Sequence, residues 1–251
     1  MLKNKGFTRP DFSKKNPGGF TIVEMVVVIP IVIIIIGTFV FALIRITGDI
    51  MTARASNVLA YSVQDALNTI EADAKISEGY LTTSMAPTTP QGFDGNTAPF
   101  NNTSTNSPLI LKSYATTGNP MSSVRSMVYK STPNSCSSAQ KDQNSPLIIN
   151  IVYFIKNGKQ LWRRILMPAD YRDLTANCDT PWQKPSCPVG YSAPFCQATD
   201  MLLIDTSKLV TMSLDTSAAN IIKTTITANS TAAGNEITYS GSIRATTANK
   251  Q

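Results

Sequence analysis

The chain predicts an α+β protein. A long N-terminal α-helix, membrane-spanning in its first half and amphipathic in its second, packs on a C-terminal antiparallel β-sheet domain. Three observations carry this expectation. Met25–Ile44 is a run of 20 residues without a charge. Beyond it, apolar residues recur three and four positions apart: Ile46, Ile50 and Ala53, then Leu59, Val63, Ala66, Leu67, Ile70 and Ala74. From residue 108 onward, β-branched runs alternate with turn residues. One long helix followed by strands is the order of an α+β fold.

The first element begins behind a basic stretch. Residues 1–19 carry Lys3, Lys5, Arg9, Lys14 and Lys15 against Asp11, a balance of +4. Residues 20–251 hold 17 basic and 15 acidic side chains, so no basic stripe remains and nucleic acid is not indicated as a partner. A helix of 20 residues spans about 30 Å, the thickness of a hydrocarbon core. The positive-inside rule places residues 1–19 in the cytoplasm and the rest of the chain across the membrane. A secretory signal peptide has an apolar region of only about 7–15 residues before a small-residue site. Here Arg45 and Asp49 separate the Ala53-Arg54-Ala55 triplet from a longer run. A plain single-pass anchor explains the run, but it leaves Gly18-Gly19 and Glu24 without a purpose. A carboxylate at hydrocarbon depth costs about 2.5–3.5 kcal/mol.

The stretch Lys14-Lys15-Asn16-Pro17-Gly18-Gly19, followed by Phe20-Thr21-Ile22-Val23-Glu24, resembles the type III signal of type IV pilins and pseudopilins. The likeness covers residues 14–46. In that family a prepilin peptidase cuts after the glycine on the cytoplasmic side, the new terminal residue is N-methylated, and the fifth mature residue is glutamate. The resemblance implies cleavage between Gly19 and Phe20, N-methylation of Phe20, and an assembly role for Glu24. Glu24 would neutralise the Phe20 amine of a neighbouring subunit, where low dielectric strengthens the attraction. The implied partners are other pilin subunits, the prepilin peptidase, an inner-membrane assembly platform, and membrane lipid before assembly. The implied location is a single-pass membrane protein with a cytoplasmic N-terminus and its C-terminal domain outside, then a cell-surface filament. Cleavage would leave 232 of the 251 residues, a length that resembles the larger minor pilins or pseudopilins. Pro30 departs from the family's deeper proline and is expected to kink the helix, because it removes a hydrogen bond to the carbonyl of Val26. The alternative function is a membrane-anchored adhesin or binding domain that does not polymerise.

The expected organisation is a leader at 1–19, a membrane or filament-core helix at 20–46, an amphipathic helix at 47–79, and a β-sheet domain at 80–251. Gly79 is the expected helix C-cap. Residues 82–107, rich in Thr, Pro, Asn and Ser, read as a loop. Asp94-Gly95-Asn96 within them reads as a turn, since the later ligands of a calcium loop are missing. Strands are expected at 108–115, 123–131, 147–156, 159–167, 201–205, 208–214, 220–228 and 236–246, with Asn157-Gly158 forming a type I′ hairpin turn. Alternation on 159–167 sends Trp162 and Arg164 to one face and Arg163 to the other, and both arginines are expected to be solvated.

Cys136, Cys178, Cys187 and Cys196 all lie on the outer side, where an even count favours two disulfides. Three pairings are possible. Cys136–Cys178 with Cys187–Cys196 is favoured, because the second closes a short loop in the Pro-rich stretch. The bonds would staple a loop at 168–199. Spacings of nine residues between Cys178, Cys187 and Cys196 fit zinc knuckles poorly. With no histidine in the chain, Ser-His-Asp and Cys-His catalysis are excluded. No catalytic, cofactor-binding or metal-ligating set is expected, and the chain reads as a structural protein rather than an enzyme.

Overall fold

The computed structural model describes residues 19, 21–86, 91–95, 98–102, 107–131, 141–168, 181–186, 200–217 and 221–248. Helix α1 is Ile22–Ile76. Ten strands follow: β1 Gly79–Leu81, β2 Leu109–Tyr114, β3 Tyr129–Ser131, β4 Lys141–Pro146, β5 Ile148–Lys156, β6 Gln160–Leu166, β7 Met201–Asp205, β8 Leu209–Asp215, β9 Ile221–Ala232 and β10 Asn235–Thr246. They form a five-stranded sheet in the order β1-β2-β5-β6-β7, a three-stranded sheet β10-β9-β8, and a two-stranded ribbon β3-β4. Every pairing is antiparallel. The fold is α+β.

By its contacts the chain divides into Met1–Gly48 and Asp49–Gln251. In the first unit α1 continues through Pro30 without interruption. Two of its hydroxyls bond back to the helix backbone. The Thr38 hydroxyl donates to the Ile35 carbonyl at 2.9 Å, and that of Thr47 to the Leu43 carbonyl at 2.8 Å. Such back-bonding is how hydroxyls persist in an apolar helix.

In the second unit, Leu59, Val63, Ala66, Leu67, Ile70 and Ala74 are buried, as the 3.6-residue period requires. They meet Leu109, Leu111, Ile151, Tyr153, Leu161 and Ile204 from the larger sheet and Val210, Met212, Ile226 and Ile237 from the smaller one. The opposite face of the larger sheet has its own core of Ile110, Val152 and Leu166, covered by Leu81, Met85, Phe100 and Phe154. Ile50 and Ala53, expected on the inward stripe, are exposed, because the sheets cover the helix fully only from Leu59 onward.

Several boundaries differ from expectation. Gly79 does not cap α1. It opens β1 opposite Lys112, and the helix closes through Ser77, whose hydroxyl donates to the Asp73 carbonyl at 2.6 Å. Only Tyr129–Ser131 of the strand expected at 123–131 is regular, and β4 forms on a polar stretch where no strand is expected.

The turn at Asn157-Gly158 has positive φ at both residues, 54° and 66°, as a type I′ turn requires. The ladder closes at Lys156–Gln160, leaving Lys159 outside it. The Lys159 carbonyl instead accepts the Thr206 N–H at 3.1 Å, and the Gly158 carbonyl accepts that of Val210 at 2.7 Å. The hairpin tip is thereby tied to the β7–β8 connection.

The β9–β10 hairpin turns on Ala233 and Gly234, at φ 49° and 81°. An alanine in the left-handed region is strained by about 1–2 kcal/mol. Ala233→Asn, which creates the preferred Asn-Gly pair, is expected to raise stability by about 1 kcal/mol, read as a higher urea midpoint at unchanged slope.

Candidate functional site

The candidate site is the start of α1 and the apolar helix behind it. Gly19 is exposed, and Phe20 lies outside the described residues. Thr21 and Glu24 form a reciprocal capping box. The Thr21 backbone N–H and hydroxyl each donate to Glu24 Oε2 at 2.9 Å, and the Glu24 N–H donates to the Thr21 Oγ at 3.3 Å. Two of the helix's orphan donors are satisfied in this way, and a carboxylate sits at the positive end of the helix dipole. Glu24 thus has a partner in its own chain. The signal for it, Thr-x-x-Glu before an apolar run, is present in the sequence. Behind it, every large apolar side chain from Ile22 to Ile46 is at least 42% exposed. No described part of the protein covers them. The helix is long and apolar enough to cross a membrane.

Two buried ionic clusters anchor the domain behind this helix, one on each face of the larger sheet. Tyr153 and Arg163 are opposite one another on β5 and β6, on the face that meets α1. Arg163 Nε donates to Asp73 Oδ2 at 2.6 Å and Nη2 to Oδ1 at 3.2 Å, and the Tyr153 hydroxyl donates to Asp73 Oδ2. Burial and the Asp73 charge push the Tyr153 phenol well up. Burial works against the Arg163 charge, but the bonds from Asp73 outweigh it and the guanidinium stays protonated.

On the other face Arg164 is fully buried. Its Nη2 meets Asp200 at 2.7 Å and Asp94 at 2.8 Å, and its Nε lies 3.1 Å from both Asp200 oxygens. Its guanidinium carbon lies 4.9 Å from the Phe154 ring centre, 5.4 Å from that of Phe93 and 5.6 Å from that of Phe100. The expected alternation is present, but Arg164 is fully buried and Arg163 is only partly exposed. Each is drawn inward by a carboxylate distant in sequence. Asp94 lies in a turn closed by the Gly95 N–H to the Gly92 carbonyl at 3.0 Å.

At the end of α1 the Tyr114 hydroxyl donates to Glu78 at 2.5 Å, and Lys112 pairs with the same carboxylate at 2.7 Å. The bond to Glu78, with burial and the Glu78 charge adding to it, pushes the Tyr114 phenol up from 10.0 to about 12. A raised folded-state value stabilises the protonated fold. That contribution is fully present below pH 10 and is lost as pH rises through about 12. Tyr114→Phe is expected to flatten this alkaline loss, measured as unfolding midpoints across that range.

A cleft of about 550 Å³ opens beside this end of the helix, with Ile76, Ile151 and Ile165 on its wall and Arg163, Trp182 and Lys184 among its polar and aromatic lining. Trp182 is 54% exposed, and Trp162 is partly buried with its ring tilted against Phe93, ring centres 4.7 Å apart. Cys136, Cys178, Cys187 and Cys196, and most of the loop expected at 168–199, lie outside the described residues.

No protein-family model matches the chain, and no curated protein or solved structure matches it either.

Proposed function

We propose that the chain is a structural subunit of a type IV pilus-like filament, cut between Gly19 and Phe20 and assembled through α1. The observation that carries this proposal is the pairing of an uncovered apolar helix with a signal of fixed order. From Ile22 to Ile46 no described residue covers the helix, and an apolar surface of that length calls for lipid or other helices around it. The basic leader, Gly19, Phe20 and the glutamate at 24 stand directly before that helix. The second half of the helix lies on antiparallel sheets, the arrangement that the pilin resemblance implies. Once Phe20 carries a free cationic amine, Glu24 can exchange its Thr21 donors for a neighbour's terminus. Within that family the reading is a minor pilin or pseudopilin, and the protein acts by assembly rather than catalysis. Its partners would be other pilin subunits, the prepilin peptidase and the assembly platform.

Gly19→Trp tests the reading. The variant is expected to keep its leader, run larger on a gel than wild type, and vanish from sheared surface material. A variant indistinguishable from wild type in size and in the sheared fraction would overturn the proposal. The second reading, a single-pass anchored binding domain, draws on the capping box, because Glu24 is satisfied within its own chain and needs no neighbour. In that case Gly19→Trp changes nothing.

A further inference from the structure

We infer that the outward face of α1 between Ile50 and Asp65 docks a second copy of this chain, with Arg54 of one copy against Asp65 of the next. The inference rests on the filament reading above and adds a contact and an axial offset to it. The buried residues Leu59, Val63, Ala66, Leu67, Ile70 and Ala74 set the inward direction of the helix. At 100° per residue, Ile50, Arg54, Val58, Tyr61 and Asp65 fall on the opposite side. Ile50, Val58 and Tyr61 are 54%, 65% and 78% exposed, and Arg54 and Asp65 are exposed as well. A helix whose solvent side carries an isoleucine, a valine and a tyrosine in one line has a second apolar stripe.

The charges say what covers it. Arg54 and Asp65 form no ion pair among the described residues, whereas Glu71 and Lys75 on the same helix pair at 2.6 Å. Eleven residues make three helical turns to within about 20°, so Arg54 and Asp65 stand on one line about 16 Å apart. A parallel copy displaced by that distance brings its Arg54 to Asp65. The same displacement of eleven residues brings its Ile50 to Tyr61. One offset therefore satisfies an opposite-charge pair and an apolar pair together. That self-complementarity points to a second copy rather than to a different subunit.

The offset also carries a rule for when the contact forms. Two copies inserted side by side in a bilayer share one depth, which sets Arg54 against Arg54 and Asp65 against Asp65. Like charges repel there. The contact becomes favourable only when one copy has been lifted relative to its neighbour, as extraction into a filament requires.

Charge reversal in the full-length protein in its native membrane tests the inference. Arg54→Asp and Asp65→Arg are each expected to reduce sheared filament material by roughly tenfold or more, and the double reversal to restore it. Both side chains are exposed, so unfolding transitions of the detergent-extracted variants should match wild type and exclude misfolding as the cause. Assembly of both single variants at wild-type level would overturn the inference, and so would loss in the singles without rescue in the double. In either case a wild type that is cut at Phe20 and found in the sheared fraction leaves the filament reading standing. A wild type with an intact leader and no sheared material removes that reading and the docking face with it.

Discussion

Asp73→Ala in the full chain, extracted in detergent, is expected to cost about 3–5 kcal/mol of stability in the sheet domain. Asp73 is 7% exposed on the last turns of α1 and is the acceptor for both Arg163 and Tyr153. Its removal leaves a guanidinium in the interior without its counter-charge and a buried phenol without an acceptor. The expected sign of this origin is a double variant. Asp73→Leu with Arg163→Met removes both charges and should recover most of the loss, since an apolar pair of similar volume often replaces a buried ion pair at little cost. Tyr153→Phe alone should cost about 1 kcal/mol, the scale of one hydrogen bond. If Asp73→Ala unfolds at the wild-type urea midpoint, the cluster does not anchor the helix to the sheet.

Arg164→Leu is expected to be at least as damaging. It strands Asp200, whose side chain is fully buried, and it empties the space among Phe93, Phe100 and Phe154. The residues around it reinforce the point. Gly92 sits at φ 79°, and a methyl group there would run into the Arg164 guanidinium. The Phe93 N–H donates to Asp200 at 3.0 Å, and the Gln91 side chain exchanges hydrogen bonds with the Met167 backbone. Residues 91–95 are thus folded over the arginine as a lid of backbone and carboxylate. Gly92→Ala should reproduce much of the Arg164→Leu loss, because it needs both a strained backbone and a displaced guanidinium. A Gly92→Ala protein as stable as wild type would contradict this packing.

Local pattern made much of the fold legible. The six inward residues from Leu59 to Ala74 follow the helical period, and Asn157-Gly158 announces its turn by residue type alone. The runs that became β2, β5, β6 and β7 to β10 are rich in apolar or β-branched residues and bounded by turn residues, so each is readable within a window of about ten positions. What escaped depends on distant partners. Arg163 finds Asp73 across 90 positions, and Arg164 finds Asp200 and Asp94 across 36 and 70. A Trp-Arg-Arg stretch looks like a solvated edge until those carboxylates arrive. β4 is Lys-Asp-Gln-Asn-Ser-Pro, with no β-former, and it exists by pairing with β3. In the candidate site, Thr21-x-x-Glu24 is a readable capping signature, but weighing Glu24 as a lone charge in lipid passes over its neighbour three residues earlier.

The most direct measurement is the N-terminal mass of the protein recovered from its native membrane and from sheared surface material. The expected result is a chain that begins at Phe20, carries a methyl group on its terminal amine, and is present in both fractions. An intact N-terminus at Met1, with no protein in the sheared fraction, would contradict it.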